Sequence, residues 1–434
     1  MSSRLRLFGC LSLLAGVAFC QLCAGEFTAD ASRYRENLRN RVLPYWLETT
    51  RDTTNGGYLL CDDAVTGRCT PSEKQLVTQA RMVWGFSLAH RSGLGRPMAG
   101  LPVTHDYLAA ATDGVRFLRQ HFLDPTHGGY YFTTDLAGHP QNRRKLLYGQ
   151  AFVIYALVEY HRASGDAQSL TDAMALYHDL QRHAHDVAHA GWMEHFEADW
   201  TPLPERDPNA IVEIAGFKSA NSHLHLMEAL TELYSETHDP DVKVSLEEAL
   251  RLNQTYFYPL DASHASFHFR PDWTLVTDAG SSGLSYGHNV EFAWLMVRAE
   301  RALGRSPSWT HFRAHLDHAL AHGWDAKLGG VYNRGVGIEP ANDTAKVWWV
   351  QAEMLAALTE GVQQKDATPI YAKALHQLIQ FVDRYQTEPK DGIWVDTVTS
   401  DGMPRDSRKA HSWKANYHDV RGMLMFVDAF DPKR

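Results

Sequence analysis

Apolar positions recur at helical spacing along most of this chain. They predict twelve helices, near residues 31–48, 74–92, 105–122, 146–164, 168–187, 218–237, 241–257, 287–304, 308–322, 345–361, 366–386 and 412–428. The connections alternate in length. From each odd helix to the next even one the linker is long and holds a turn with glycine, aromatic or β-branched residues: Asn55-Gly56-Gly57-Tyr58, His127-Gly128-Gly129-Tyr130, Gly191-Trp192, Phe267-His268-Phe269, Gly329-Gly330-Val331-Tyr332 and Gly392-Ile393-Trp394. From even to odd it is short, as in Ala163-Ser164-Gly165-Asp166 or Thr237-His238-Asp239-Pro240. A unit of this kind cannot bury its apolar face alone, so repeats stack. Six hairpins closing into a ring, with six helices around a central funnel and six outside, give an all-α fold with short β excursions. Residues 26–434 read as one such domain, since no Pro/Ser-rich or low-complexity linker interrupts them. The long connections feed the N-terminal ends of the even helices, where free N–H groups and the helix dipole favour developing negative charge.

Composition changes this picture at three points. The first 25 residues read as a secretory signal peptide: Arg4 and Arg6 precede an apolar run from Leu7 to Cys20, and Cys23-Ala24-Gly25 offers a small-residue cleavage site. The expectation is export, to a periplasm or the extracellular space, with no membrane attachment once the leader is gone. Removal of the leader leaves Cys61 and Cys69, a disulfide candidate in an oxidising compartment. The net charge of −9, with no Lys/Arg cluster, argues against nucleic acid as a partner. The sequences Asn253-Gln-Thr and Asn342-Asp-Thr fit the glycosylation pattern. A monomer or homodimer is expected.

The chemistry-bearing residues gather at the starts of the even helices. Helix 2 has Gln79, Arg81 and Trp84; helix 4 has Tyr148; helix 6 has Asn221, His223, His225 and Glu228. Helix 8 has His288, Asn289, Glu291 and Trp294; helix 10 has Trp348, Trp349, Gln351 and Glu353; helix 12 has Trp413, Lys414, Tyr417, His418 and Arg421. Each alone is an ordinary core or capping residue, and a buried histidine is more often structural than catalytic. Their coincidence at comparable positions on six helices lifts the set. The stretch His183-Ala-His185-Asp186-Val-Ala-His189 closes an odd helix and reads as a solvated face. His223-x-His225 lacks the spacing for two ligands on one helix face, and HExxH, P-loop, dinucleotide and Gly-x-Ser-x-Gly patterns are absent. The expectation is acid/base chemistry with neither metal nor cofactor.

The motifs Gln79-Ala-Arg81-Met-Val-Trp84, Tyr148-Gly-Gln-Ala-Phe152, Asn221-Ser-His-Leu-His225-Leu-Met-Glu228, Ser285-Tyr-Gly-His288-Asn-Val-Glu291-Phe-Ala-Trp294, Trp348-Trp349-Val-Gln-Ala-Glu353 and Trp413-Lys-Ala-Asn-Tyr417-His418-Asp-Val-Arg421 carry a resemblance. In this order they resemble the N-acylglucosamine 2-epimerase superfamily, nearest its cellobiose 2-epimerase-like branch. The resemblance implies an (α/α)6 barrel and a small-molecule sugar substrate, epimerised or isomerised at its reducing end. It implies His288 and His418 as the acid/base pair, Glu291 as the carboxylate assisting His288, and Arg81 beside the developing oxyanion. Tyr148, Asn221, His225, Trp294, Trp349 and Glu353 match sugar-binding positions. Asn289 and the Asp419-Val420 pair depart from the usual pattern and leave disaccharide specificity open. Inversion at C2 through an enediolate needs a proton acceptor on one face and a donor on the other, and two histidines suit that at neutral pH. An aldose–ketose isomerase would use the same pocket. An α/α-barrel glycoside hydrolase would need two opposed carboxylates, for which Glu291 and Glu353 are the candidates. A silent sugar-binding module would be indifferent to loss of either histidine.

Overall fold

The computed structural model describes residues 25–95, 105–277 and 283–431. The expected leader lies outside the described residues, apart from Gly25. Twelve helices are present among the described residues. α1 runs Thr28–Asn37 and continues through Leu38–Val42 into Leu43–Thr50; α2 is Leu76–Arg91; α3 is Tyr107–Phe117 with Leu118–Phe122. α4 is Leu147–Ser164, α5 Ala167–His183, α6 Ala220–Thr237, and α7 Pro240–Leu252 with Asn253–Phe257. α8 is Tyr286–Ala302, α9 Trp309–His322, α10 Trp348–Val362, α11 Pro369–Phe381 with Val382–Gln386, and α12 His418–Phe430. In α1, α3, α7 and α11 the added segment is a widened π-helical turn.

Burial separates the two rings. α3 buries Tyr107, Ala110, Ala111, Gly114 and Val115, one stripe at helical spacing, as a surface helix does. α2 buries every residue from Leu76 to Ser87, and α4 every residue from Leu147 to Tyr160. Helices buried all round must be lined on every side, so the even helices form the inner ring. α2, α4, α6, α8, α10 and α12 pack in that order, and each also packs on the odd helix that follows it, with α12 meeting α1. The tight hairpins are therefore even-then-odd, across the short connections, and the first helix completes the last hairpin.

The long connections are tied down by a device the periodicity did not reveal. Five of the six begin with an acidic residue whose side-chain oxygen caps two turn N–H groups, as Asp325 does for Lys327 and Leu328. A lysine on the strand just before the inner helix is fully buried on that aspartate: Lys74 on Asp52, Lys145 on Asp124, Lys218 on Asp186 and Lys346 on Asp325. Lys346 Nζ lies 2.6 Å from Asp325 and 2.8 Å from the Gly329 carbonyl. From the helix side, Gln79, Gln150 and Gln351 each clamp both backbone groups of Tyr58, Tyr130 and Val331. His223 does half of this, accepting the Trp192 N–H at 3.1 Å. Thus Gln79, Gln351 and His223, polar residues that drew notice in the sequence, serve the frame. Asp186 likewise belongs to a clasp, and His185 is bonded to Glu248 at 3.0 Å, so that stretch is not merely a solvated face. Gly330 shows why glycine is needed: at φ +81° a Cβ would meet Phe381 at 2.8 Å and Gln351 Oε1 at 2.9 Å.

Closure is completed by a strand pair. Arg408–Ala410 from the last connection runs antiparallel to Asp62–Asp63 from the first, and Cys61 and Cys69 are disulfide-bonded across the same hairpin. Residues 412–417, expected to be helical, instead form a turn, because the Trp413 carbonyl is drawn to Arg81 and His411 pairs with Lys414. Asn253 is buried with its amide donated to Ala249 and His223 carbonyls, which closes it to glycosylation, whereas Asn342 is exposed. Among the described residues no helix is long and apolar enough to cross a membrane.

Because Lys346 is the counter-charge of a buried Asp325 carboxylate, Lys346→Met should destabilise the fold by about 3–5 kcal/mol. Urea denaturation followed by circular dichroism measures this, and an unchanged midpoint would remove the clasp from the stability argument.

Candidate active site

Each inner helix except α12 starts directly after a short strand, so its first turn faces the mouth of the ring. Ser219 and Ser285 cap α6 and α8 by accepting the N–H of Ser222 and His288. These caps set the rotation at which His225 and His288 leave their helices. α12 starts at His418 itself, after the turn that crosses to Arg81.

One guanidinium lies at the centre. Arg421 is fully buried and reaches three carboxylates from three helices: Glu228 on α6, Glu291 on α8 at 2.8 Å and Glu353 on α10 at 2.7 Å. It also stacks 4.7 Å from the Trp294 ring and 4.2 Å from Tyr417. Two histidines are held on that cluster. His418 Nδ1 is 2.6 Å from Glu353 Oε1, and His225 Nδ1 is 2.8 Å from Glu228 Oε2. Tyr417 donates its hydroxyl hydrogen to Glu228 at 2.8 Å. Trp294 donates its indole N–H to the second oxygen of Glu353 at 3.0 Å.

The electrostatics follow from burial and from who reaches Arg421. Burial opposes ionisation of Glu228, but Arg421, His225 and Tyr417 outweigh it and hold that carboxylate down at about 2. Burial, with Glu353 alongside, pushes Glu291 well above the ordinary carboxylate range; burial also raises Glu353, against the pull of Arg421. Burial lowers all three histidines. His288 is depressed well below 6.5, further disfavoured by His225 and Arg334. His418 is also depressed well below 6.5, with Arg81 and Arg421 adding to the effect. Neutral imidazoles are therefore the resting forms near pH 7.

His288 stands apart from the cluster. Its Nδ1 has no protein partner, and its ring packs between Phe267 at 5.2 Å and Trp349 at 4.7 Å. The same Trp349 indole lies 5.8 Å from His418, so the two imidazoles sit against one half-buried ring. Arg81 donates to the Tyr148 hydroxyl oxygen at 2.6 Å and to the Trp413 carbonyl at 2.9 Å, with its guanidinium 4.4 Å from the Phe152 ring. Asn221 is half-buried with Oδ1 unpartnered.

The structure thus brings the residues singled out in the sequence to one end of the ring but redistributes their roles. Glu291, expected to assist His288, is bonded to Arg421; it lies 4.0 Å from His418 Nδ1 and 3.9 Å from His225 Nε2. Three positions along a helix do not bring its carboxylate to a ring that leans toward Phe267. The carboxylate that orients a candidate acid/base histidine is Glu353. Both Glu353 and Trp294, expected to bind sugar, are buried and spend their polar atoms on the cluster. Glu228 and Arg421 organise the site, yet sequence reasoning assigned them no role. Their signal was a carboxylate and a guanidinium each one turn beyond a candidate histidine.

Glu291, Glu353 and His418 offer ligand atoms within 4.8 Å of one another, a spacing a cation would accept. The Arg421 guanidinium already supplies positive charge to both carboxylates. That shared guanidinium also sets Glu291 and Glu353 side by side, whereas a glycosidase needs them about 5–9 Å apart across the scissile bond.

The N-acylglucosamine 2-epimerase family model matches residues 56–421. A cellobiose 2-epimerase of Bacteroides fragilis is 29% identical over 399 residues, covering 89% of this chain and 96% of its own. A D-mannose isomerase of Marinomonas mediterranea is 24% identical over 408 residues, covering 90% and 95%. The solved cellobiose 2-epimerase of Spirochaeta thermophila superposes with TM-score 0.81 at 32% identity, over 93% of this chain and 96% of the other. Ring architecture and family model agree over nearly the whole described chain, which therefore belongs to the N-acylglucosamine 2-epimerase family of carbohydrate epimerases and isomerases.

Proposed function

We propose that the protein inverts C2 of a free reducing glucose- or mannose-type sugar, alone or as the reducing end of a cellobiose-like disaccharide, through an enediolate and without a metal. The observation that carries this reading is that His288 and His418, from helices far apart in the chain, both face the Trp349 indole. Opening of the sugar exposes an aldehyde that acidifies the C2 proton. One neutral imidazole removes that proton and the other, protonated, returns one to the opposite face. Because the reaction is reversible, the two rings exchange roles between its directions. His418 donates Nδ1–H to Glu353, which leaves Nε2 for the substrate and stabilises the imidazolium when it forms. Negative charge grows on the carbonyl oxygen, and Arg81, oriented by Tyr148 and the Trp413 carbonyl, is the donor for it. Trp349 and Asn221 offer a stacking face and a polar contact for the pyranose.

The second reading, an aldose–ketose isomerase, is favoured by the D-mannose isomerase relative. It needs one base to carry the proton from C2 to C1 in the same pocket. Export directed by residues 1–25 accompanies either reading, and the Cys61–Cys69 disulfide is in keeping with an oxidising compartment.

Incubation with mannose, glucose, N-acetylglucosamine and cellobiose in heavy water, read by NMR, should give a C2-epimeric aldose deuterated at C2. A ketose product selects the isomerase reading, and release of a monosaccharide from cellobiose would overturn both. His288→Ala and His418→Ala should each lower kcat by roughly 100- to 10,000-fold, and Glu353→Gln by less. Full turnover in either histidine variant would remove that histidine from the proton transfer. Since one imidazole must be protonated while the other is neutral, and burial depresses both, kcat/KM should rise as the pH falls below 6.5 and decline only when both rings are protonated. Dialysis against EDTA should leave the rate unchanged; a loss restored by a divalent ion would put a metal on Glu291, Glu353 and His418.

A further inference from the structure

The turn that leads into α12 contains a charged residue to which the proposed chemistry gives no task. Lys414 is fully buried, its Nζ has no hydrogen-bond partner, and it lies 4.6 Å from the Trp348 ring. Five residues on, Asp419 is also fully buried. Its Oδ1 accepts the Val420 N–H at 3.0 Å, and its Oδ2 has no partner. Burial lowers the lysine and raises the aspartate, and each is the foremost opposite charge acting on the other; Asp396 and Asp406 act on the lysine after it. A buried ammonium or carboxylate without compensation is costly enough that neither would persist alone.

Their positions give the charges a task. Lys414 sits at the end of the turn in which His411 and Lys414 exchange backbone hydrogen bonds at 2.9 and 3.4 Å. Trp348 is the first residue of α10, the helix that carries Glu353. Asp419 is in the first turn of α12, next to His418. Trp348 lies 4.6 Å from Lys414 Nζ and 6.4 Å from the His418 ring, and Asp419 follows His418 directly, so the two charges flank that imidazole without a hydrogen bond between them.

We propose that Lys414 and Asp419 form a buried charge pair that positions His418 on Glu353. The pair acts through placement and through the field at the ring. The groups facing His418 are Glu353 from α10, Glu291 and His288 from α8, Arg81 from α2, His225 and Glu228 from α6, and Arg421 from its own helix. To these the pair adds one positive and one negative charge. Deleting either member leaves the other uncompensated beside the ring.

The test does not need turnover, although its kinetic arm rests on the epimerase reading. The His418 imidazole is titrated by NMR in the full-length protein, its resonance identified by its absence from His418→Ala. Lys414→Met should raise the His418 pKa, because a positive charge is lost, and Asp419→Asn should lower it. The double variant should return it toward the parent value. In the kinetic arm each single variant should lower kcat by roughly tenfold with KM little changed, and the double variant should recover most of that loss. Singles that leave the titration in place, or a double variant that loses the product of both single effects, would overturn the pair. If a single variant fails to fold, the double variant decides: folded with a near-parental His418 pKa supports the pair, and unfolded or displaced sinks it. Absence of turnover on every sugar in the parent protein, with the titration behaving as expected, would fault the proposed function and leave the pair standing.

Discussion

A single buried cation organises the centre of this molecule. Arg421 is withdrawn from water and answered by three carboxylates from three separate inner helices. None of the four groups is tolerable there alone, since desolvation of a lone charge outweighs what packing returns. Their mutual need fixes the rotation of α6, α8, α10 and α12 about their axes. The histidines follow from that: His225 leans on Glu228 and His418 on Glu353 because those carboxylates are already held. Three acids around one guanidinium do not ionise together at no cost, and burial pushes Glu291 well toward the neutral form and raises Glu353 as well.

Around this centre the ring is built by repetition. Buried lysines on aspartates pin the long connections, and glutamines from the helices clamp the same turns. The result is a rigid rim at the one end of the ring where inner helices begin. That end collects helix N-termini, aromatic faces and the candidate acid/base rings. Loops held this firmly allow imidazoles from distant parts of the chain to keep their mutual placement. The same rigidity explains why a fold shared with hydrolases can host proton transfer: the chemistry depends on which side chains occupy the first turns. Here two carboxylates are paired on one guanidinium and two imidazoles stand against one tryptophan.

The division between His288 and His418 is chemically informative. His418 has a carboxylate behind it, a tyrosine beside it and guanidinium groups on two sides. His288 has aromatic walls and no protein partner at Nδ1. A ring with a buried carboxylate can bear a proton more readily than one between hydrocarbon faces. The two imidazoles therefore sit in unlike surroundings before a substrate arrives.

Much was readable in the sequence. Apolar periodicity and the alternation of long and short connections determined twelve helices in a ring, because a repeat that cannot bury its own face leaves little else open. Clustering at the even-helix starts identified Arg81, Tyr148, Asn221, His225, His288, Trp349 and His418 at the mouth, because helix phase carries first-turn residues there regardless of detail. What the sequence did not determine were the partnerships. Spacing placed Glu291 with His288, but only the angles between helices decided that its carboxylate meets Arg421 and that Glu353, more than sixty positions earlier in the chain, meets His418. Gln79, Gln351 and His223 read like site residues and proved to be clamps, since a buried polar side chain looks the same in sequence whether it serves a backbone or a substrate. Local pattern sets which face of a helix is polar; the packing of one helix against another decides which groups on those faces touch.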